Sequence, residues 1–189
     1  MGIFPTDPAS FSTIARRWSR VNRIEVALHF FSLDTPLTWL PHQTVATIVE
    51  KDGRLLLVEE LADGQSVLNQ PAGHLEPDES LLQAALRETL EETGWEVALQ
   101  ALLGIYQYTS PANGITYVRT CFIASPVRRI VTASLDPEII AVHWLTPVEI
   151  QLQQQRLRSP AVWQVIQDYL AGQRYPLNLI RTIESTVND

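Results

Sequence analysis

The chain has 189 residues, 46% of them hydrophobic and 19% charged, and carries a net charge of −7. That length and balance suit one folded domain with a full core, and the negative charge argues against a nucleic-acid polymer as a bulk partner, because phosphate backbones need a basic surface. A single cysteine, Cys121, excludes an intrachain disulfide and fits a reducing, cytoplasmic setting. The sequence has no apolar run of about 18 residues, so neither a spanning helix nor a membrane partner is expected.

The first 40 residues differ from the rest. Arg16, Arg17, Arg20 and Arg23 stand against Asp7, Glu25 and Asp34, a net charge of +1, which leaves −8 for the remainder. Scattered apolar residues with arginines and few acids have the look of an organelle transit segment, but no secretory h-region is present. A disordered extension or an early start codon is the plainer reading. The apolar run 26–31 is the part of this segment best suited to cover a sheet face or a dimer surface. Thr35-Pro36-Leu37 and Pro41 punctuate the join, so 1–40 is expected to be an extension and 41–189 the folded domain, as a monomer or homodimer.

From residue 43 the pattern is regular. Residues 45–50 alternate and are β-branched, and 55–60 read as the return strand of a hairpin turned by Asp52-Gly53. A second turn at 62–65 leads to a short strand at 66–70. Pro71-Ala72-Gly73 is a loop signal. Ser80 with Gln83 fits a capping box, Leu82, Ala85, Leu86, Thr89 and Leu90 form an apolar stripe, and Gly94 is placed to end the helix in a left-handed turn. Further on, 96–108 is extended, 110–114 a loop, 116–124 a buried strand, 127–136 a polar loop and 139–145 a last strand. Two helices are expected at 147–155 and 160–171. Strands with separated helical regions predict an α/β sandwich, a central mixed sheet between helical layers.

The helix after Ser80 carries the chemistry. Glu88, Glu91 and Glu92 stand at relative positions 0, 3 and 4 and share one helix face. Like charges so crowded destabilise a helix unless something compensates, and a hard divalent cation is the natural compensator. Mg²⁺, or Mn²⁺ in its place, is therefore expected, held by Glu88, Glu91, Glu92 and the carbonyl of Gly73, a residue whose missing Cβ lets backbone approach closely. The clients of such a site are phosphates. A bare acidic face repels a polyanion, and a cation reverses that and favours attack by water.

The series Gly73, Glu79, Arg87-Glu88, Glu91-Glu92 and Gly94-Trp95 resembles the box of the Nudix hydrolase family, with Thr89 a mild departure where the family has a bulky apolar residue. The stretches 69–76, 157–160 and 172–177 look like the NudJ-type phosphatases of that family, over about residues 41–181. The resemblance implies a Nudix-type α/β/α sandwich and a metal-dependent hydrolase. Its substrates would be small pyrophosphates: thiamine pyrimidine pyrophosphate, thiamine pyrophosphate, and nucleoside di- and triphosphates. The runner-up is an ADP-ribose or dinucleoside polyphosphate pyrophosphatase, suggested by Pro111, and a third reading is a binding module without activity.

By the same resemblance Glu88 and Glu91 are catalytic candidates, with Asp136 or Glu138 as alternative bases and Glu76 a helper for a second metal. Arg87 is expected to orient a box glutamate and Glu79 to position the loop. For the substrate, Tyr108 and Tyr106 offer aromatic faces and Gln107, Gln70 and Asn69 polar contacts. Arg119 breaks an apolar strand and requires either a phosphate or an acidic partner; Arg158 is a weaker candidate. His74 and His143 have no zinc-type spacing.

Overall fold

The computed structural model describes residues 39–62, 64–131 and 134–183. The expected extension, with its arginines and the run 26–31, lies outside them apart from Trp39 and Leu40. Among the described residues the first hairpin joins β1 (His42–Lys51) to β2 (Arg54–Ala62). Asp52 and Gly53 both take positive φ, 52° and 74°, the two-residue turn whose twist matches that of the flanking strands. β3 (Gln65–Asn69) returns along β2. The helix α1 (Leu81–Thr93) starts on Ser80 with both capping-box bonds made and stops at Gly94 with φ 70°, as its sequence predicts.

Long strands β5 (Trp95–Thr109) and β6 (Thr116–Arg129) follow, then β7 (Ile139–Leu145). The chain finishes with the short helix α2 (Pro147–Leu152), a 3-10 turn (Gln154–Arg156), α3 (Pro160–Leu170) and a 3-10 turn (Leu177–Leu179).

Three expectations need correction. Ala72–His74 is not only loop: it forms a three-residue strand, β4, antiparallel to Thr44–Ala46 of β1. A strand that short has no periodicity to read. β6 does not end at 124 but continues to Arg129, where Glu96 lies opposite Arg128 and both carboxylate oxygens accept from its guanidinium at 2.6 and 2.9 Å. This polar ribbon is held by a cross-strand ion pair, which alternation of apolar residues does not reveal. Finally, α2 stops at Leu152 and the chain tightens into the 3-10 turn.

β1 is the hinge of the sheet. One edge pairs parallel with β6 over His42–Val49, and β5 lies antiparallel beyond it. The other edge is divided between β4 and the start of β2, and β2 also carries β3 and β7. Alternation along β1 and β6 then sorts the core. Val45 and Phe122 face Ala84 and Ala85 of α1, while Ala46, Ile48, Cys121 and Ile123 face Val162, Val165 and Ile166 of α3. Helices thus cover both faces of a mixed sheet. Burying a side chain such as Phe122 or Ile166 contributes about 1.5–3 kcal/mol. Thr89, the residue out of pattern, is fully buried, and its hydroxyl meets that of Thr47 at 2.7 Å, tying α1 to β1.

Candidate active site

α1 and β4 meet at Gly73. A Cβ on that residue would collide with the carboxylate of Glu88, so glycine is what lets the helix carboxylate lie against the strand. Arg87 organises the surroundings. Its Nε and Nη2 donate to the two Glu79 oxygens at 3.0 and 2.7 Å, and Nη2 also donates to the His74 carbonyl at 3.1 Å. Nη1 donates to Glu88 at 2.8 Å and to Glu91 at 3.1 Å. All five guanidinium N–H groups are then engaged. Arg87, grouped with the catalytic residues from the sequence, has no donor left for a substrate and is a positioning residue. Glu79, which also accepts from the Glu76 amide at 2.7 Å, fixes the loop ahead of the helix.

The three carboxylates brought together are Glu88, Glu91 and Asp136, each offering an oxygen within 4.8 Å of the others. Asp136 reaches them because its amide donates to the Glu91 carbonyl at 3.1 Å. The expected third member, Glu92, borders the same cleft but is not within that set: it is buried and accepts from the Ala72 amide at 2.9 Å. Burial pushes its carboxyl up to about 8, with Glu60, Glu88 and Asp136 adding repulsion. Burial raises Glu88 too, against the pull of Arg87. A set of hard oxygens with one guanidinium to offset it, beside a backbone kept open by glycine, suits a divalent cation of the Mg²⁺ type.

Glu88, Glu92 and Asp136 line a cleft of roughly 730 Å³. Its walls also carry Glu138, the polar or charged Arg119, Arg158, Asn69 and Glu60, and the aromatic Tyr106, Tyr108 and Tyr117. Arg158 is paired with Glu60 at 2.9 Å, and Glu60 also accepts from Asn69 at 3.1 Å. Arg119 has no carboxylate within ion-pair distance among the described residues; its Nη1 only approaches Asn69 Oδ1 at 3.4 Å. Neither Glu88 nor Glu138 is its partner. Tyr108 lines the cleft as expected, whereas the Tyr106 hydroxyl donates to Asp168 at 2.9 Å and its ring packs on the core.

Gln70 is a correction. It is fully buried, is not among the residues lining the cleft, and its amide donates to the Val162 carbonyl at 2.9 Å. His143 pairs with Glu59 at 2.8 Å. Sequence reasoning passed over Tyr117 and His42. Tyr117 sits two positions before Arg119 in β6 and so shares its face, a signal the sequence did carry. His42 reaches the site only through parallel pairing with β6, which no local pattern reveals.

Comparison with known proteins agrees with this architecture. The family model for the NUDIX domain matches residues 40–168. The phosphatase NudJ of Escherichia coli K12 is 41% identical over 140 residues, 74% of this chain and 90% of the relative, and that of Shigella flexneri matches equally. A solved NUDIX hydrolase from Nitrosomonas europaea is 44% identical, with a TM-score of 0.76 over 78% of this chain and all of that one.

Proposed function

Since the chain belongs to the NUDIX family and is an enzyme acting on pyrophosphate bonds, we propose that it hydrolyses small pyrophosphates with Mg²⁺. Candidate substrates are thiamine pyrimidine pyrophosphate, thiamine pyrophosphate and nucleoside di- or triphosphates, with phosphate released. The observation that carries this reading is the meeting of Glu88, Glu91 and Asp136 beside a cleft that Glu88 and Asp136 line together with Arg119, a guanidinium without an acidic partner among the described residues. Carboxylates alone would repel the substrate; together with a cation and a free guanidinium they make a diphosphate site.

Glu88, Glu91 and Asp136 would hold the ion, with the Gly73 carbonyl beside them and Glu92 buttressing β4 from behind. The ion when bound would neutralise charge on the phosphoryl oxygens and acidify water. Glu88, held by Arg87 and pressed on Gly73, takes the proton of the attacking water. Water oxygen adds to phosphorus, the bridging P–O bond breaks and the phosphate departs. Arg119 grips the phosphoryl oxygens and Tyr108 offers its face to the ring.

The test is a product screen with purified protein, Mg²⁺ and a panel of pyrophosphates, separating phosphate, pyrophosphate and nucleotide products. Phosphate from thiamine pyrimidine pyrophosphate is expected. Preferential cleavage of ADP-ribose to two monophosphates would favour the other enzyme class, and no turnover of any member would defeat the reading.

A further inference from the structure

The aromatic side chains at the cleft carry more than the face expected of Tyr108. Pairing sets His42 opposite Tyr117, Thr44 opposite Arg119 and His74, and Tyr108 opposite Tyr117. Alternation at period two then projects His42, Thr44, His74, Tyr108, Tyr117 and Arg119 from one face of the sheet. The rings of His42, His74 and Tyr117 meet as a corner. Their centroids are 5.3 Å apart at 67° (His42–His74), 5.5 Å at 71° (His42–Tyr117) and 6.4 Å at 53° (His74–Tyr117). In such pairs the edge of one ring rests on the face of another, while His42 and His74 remain exposed and Tyr117 half-buried.

Polar groups border the same corner. His42 Nδ1 and His74 Nε2 lie 3.1 Å apart and share one hydrogen, and the Tyr117 hydroxyl accepts from Asn113 at 3.3 Å. Next to them Thr44 lines the cleft and is only 4% exposed, and its buried hydroxyl has no partner among the described residues. A buried hydroxyl without a partner requires one from outside the chain.

We infer that this corner binds the planar nitrogen heterocycle of the substrate, the diphosphate running past Thr44 to Arg119 and the carboxylates. Exposed aromatic rings with donors and acceptors around them suit a flat ring with polar edges better than an aliphatic or sugar group. The assignment rests on the hydrolase reading above and names residues that read the ring rather than the phosphates.

The experiment compares kcat/KM for thiamine pyrimidine pyrophosphate with that for methyl diphosphate, which has no ring. In Tyr117→Ala the ratio should fall about tenfold or more, the loss expected for one stacking contact, and Tyr117→Phe should restore it. His42→Ala, at the exposed first residue of β1, repeats the test should Tyr117→Ala fold poorly. A ratio unchanged in both alanine variants, whether or not the rates fall together, would overturn the inference. Calorimetry with α,β-methylene-ADP against methylenediphosphonate reads the same preference without turnover. A protein that binds the ring compound selectively through Tyr117 but hydrolyses neither diphosphate would defeat the hydrolase reading and leave the corner standing.

Discussion

Glu92 shows what the cleft costs the fold. Its carboxyl is pushed from an ordinary 4.5 to about 8, chiefly by burial. With the folded value above the unfolded one, its contribution to stability is fully present below pH 4.5 and is lost as pH rises toward 8. Melting curves in chelator should therefore show Glu92→Gln gaining on the wild type as pH rises from about 5 to about 8, since the amide keeps an oxygen to accept from Ala72 but does not titrate. A gap that stays constant across that range would contradict the assignment. Gln70 makes the opposite case, a buried side chain away from the cleft whose amide donates to the Val162 carbonyl while its Oε1 has no partner among the described residues. Gln70→Ala leaves the Val162 carbonyl without its donor and opens a cavity, and should cost about 2–4 kcal/mol in urea unfolding with KM unchanged.

The helix α1 couples local sequence to the site more tightly than any other element. Its capping box sets where the first turn begins, and hence which way Glu88 and Glu91 point. Ser80→Ala should lower stability by about 1 kcal/mol, read as an earlier urea midpoint, while Gln83→Glu should keep it. This element was legible in the sequence because cap, stripe and terminating glycine are all local signals. So were the hairpin at Asp52-Gly53 and the strand Ile139–Leu145. Less legible were the features decided by partners distant in the chain. β4 exists because β1 offers an edge, and Asp136 joins Glu88 and Glu91 through one backbone bond. Asp136, read as a possible base, instead stands where Glu92 was expected, because spacing on a helix tells which residues share a face but not which neighbour has already claimed a carboxylate.

At the scale of the whole molecule, the ion and the fold support each other. Mg²⁺ at about a hundredfold excess over its Kd should stabilise the protein by about 2.7 kcal/mol, seen as a melting temperature that rises with Mg²⁺ and falls back with chelator. An unresponsive melting curve would remove the ion from the carboxylate cluster. The segment after α3 also belongs to this unit although the family match ends at 168. Tyr175 exchanges backbone bonds of 2.8 and 2.9 Å with Leu102, and Leu177 and Ile180 pack on the cluster beneath α1. A chain stopped at 170 should lose about 2–4 kcal/mol, the worth of two partly buried aliphatic side chains, and a midpoint unchanged in urea would show the segment to be ornamental. Among the described residues, no helix is long and apolar enough to cross a membrane. The parallel pairing of His42–Val49 with Tyr117–Ala124 has a temporal meaning as well. The first strand leaves the ribosome well before its central partner exists, so its apolar edge must wait. Closing such a distant contact is slow, and the carboxylate helix is made before the strand bearing Arg119. A nascent chain therefore holds Glu88 and Glu91 before Arg119, and Asp136 last of all, so the newborn protein acquires its grip on phosphate only as folding finishes.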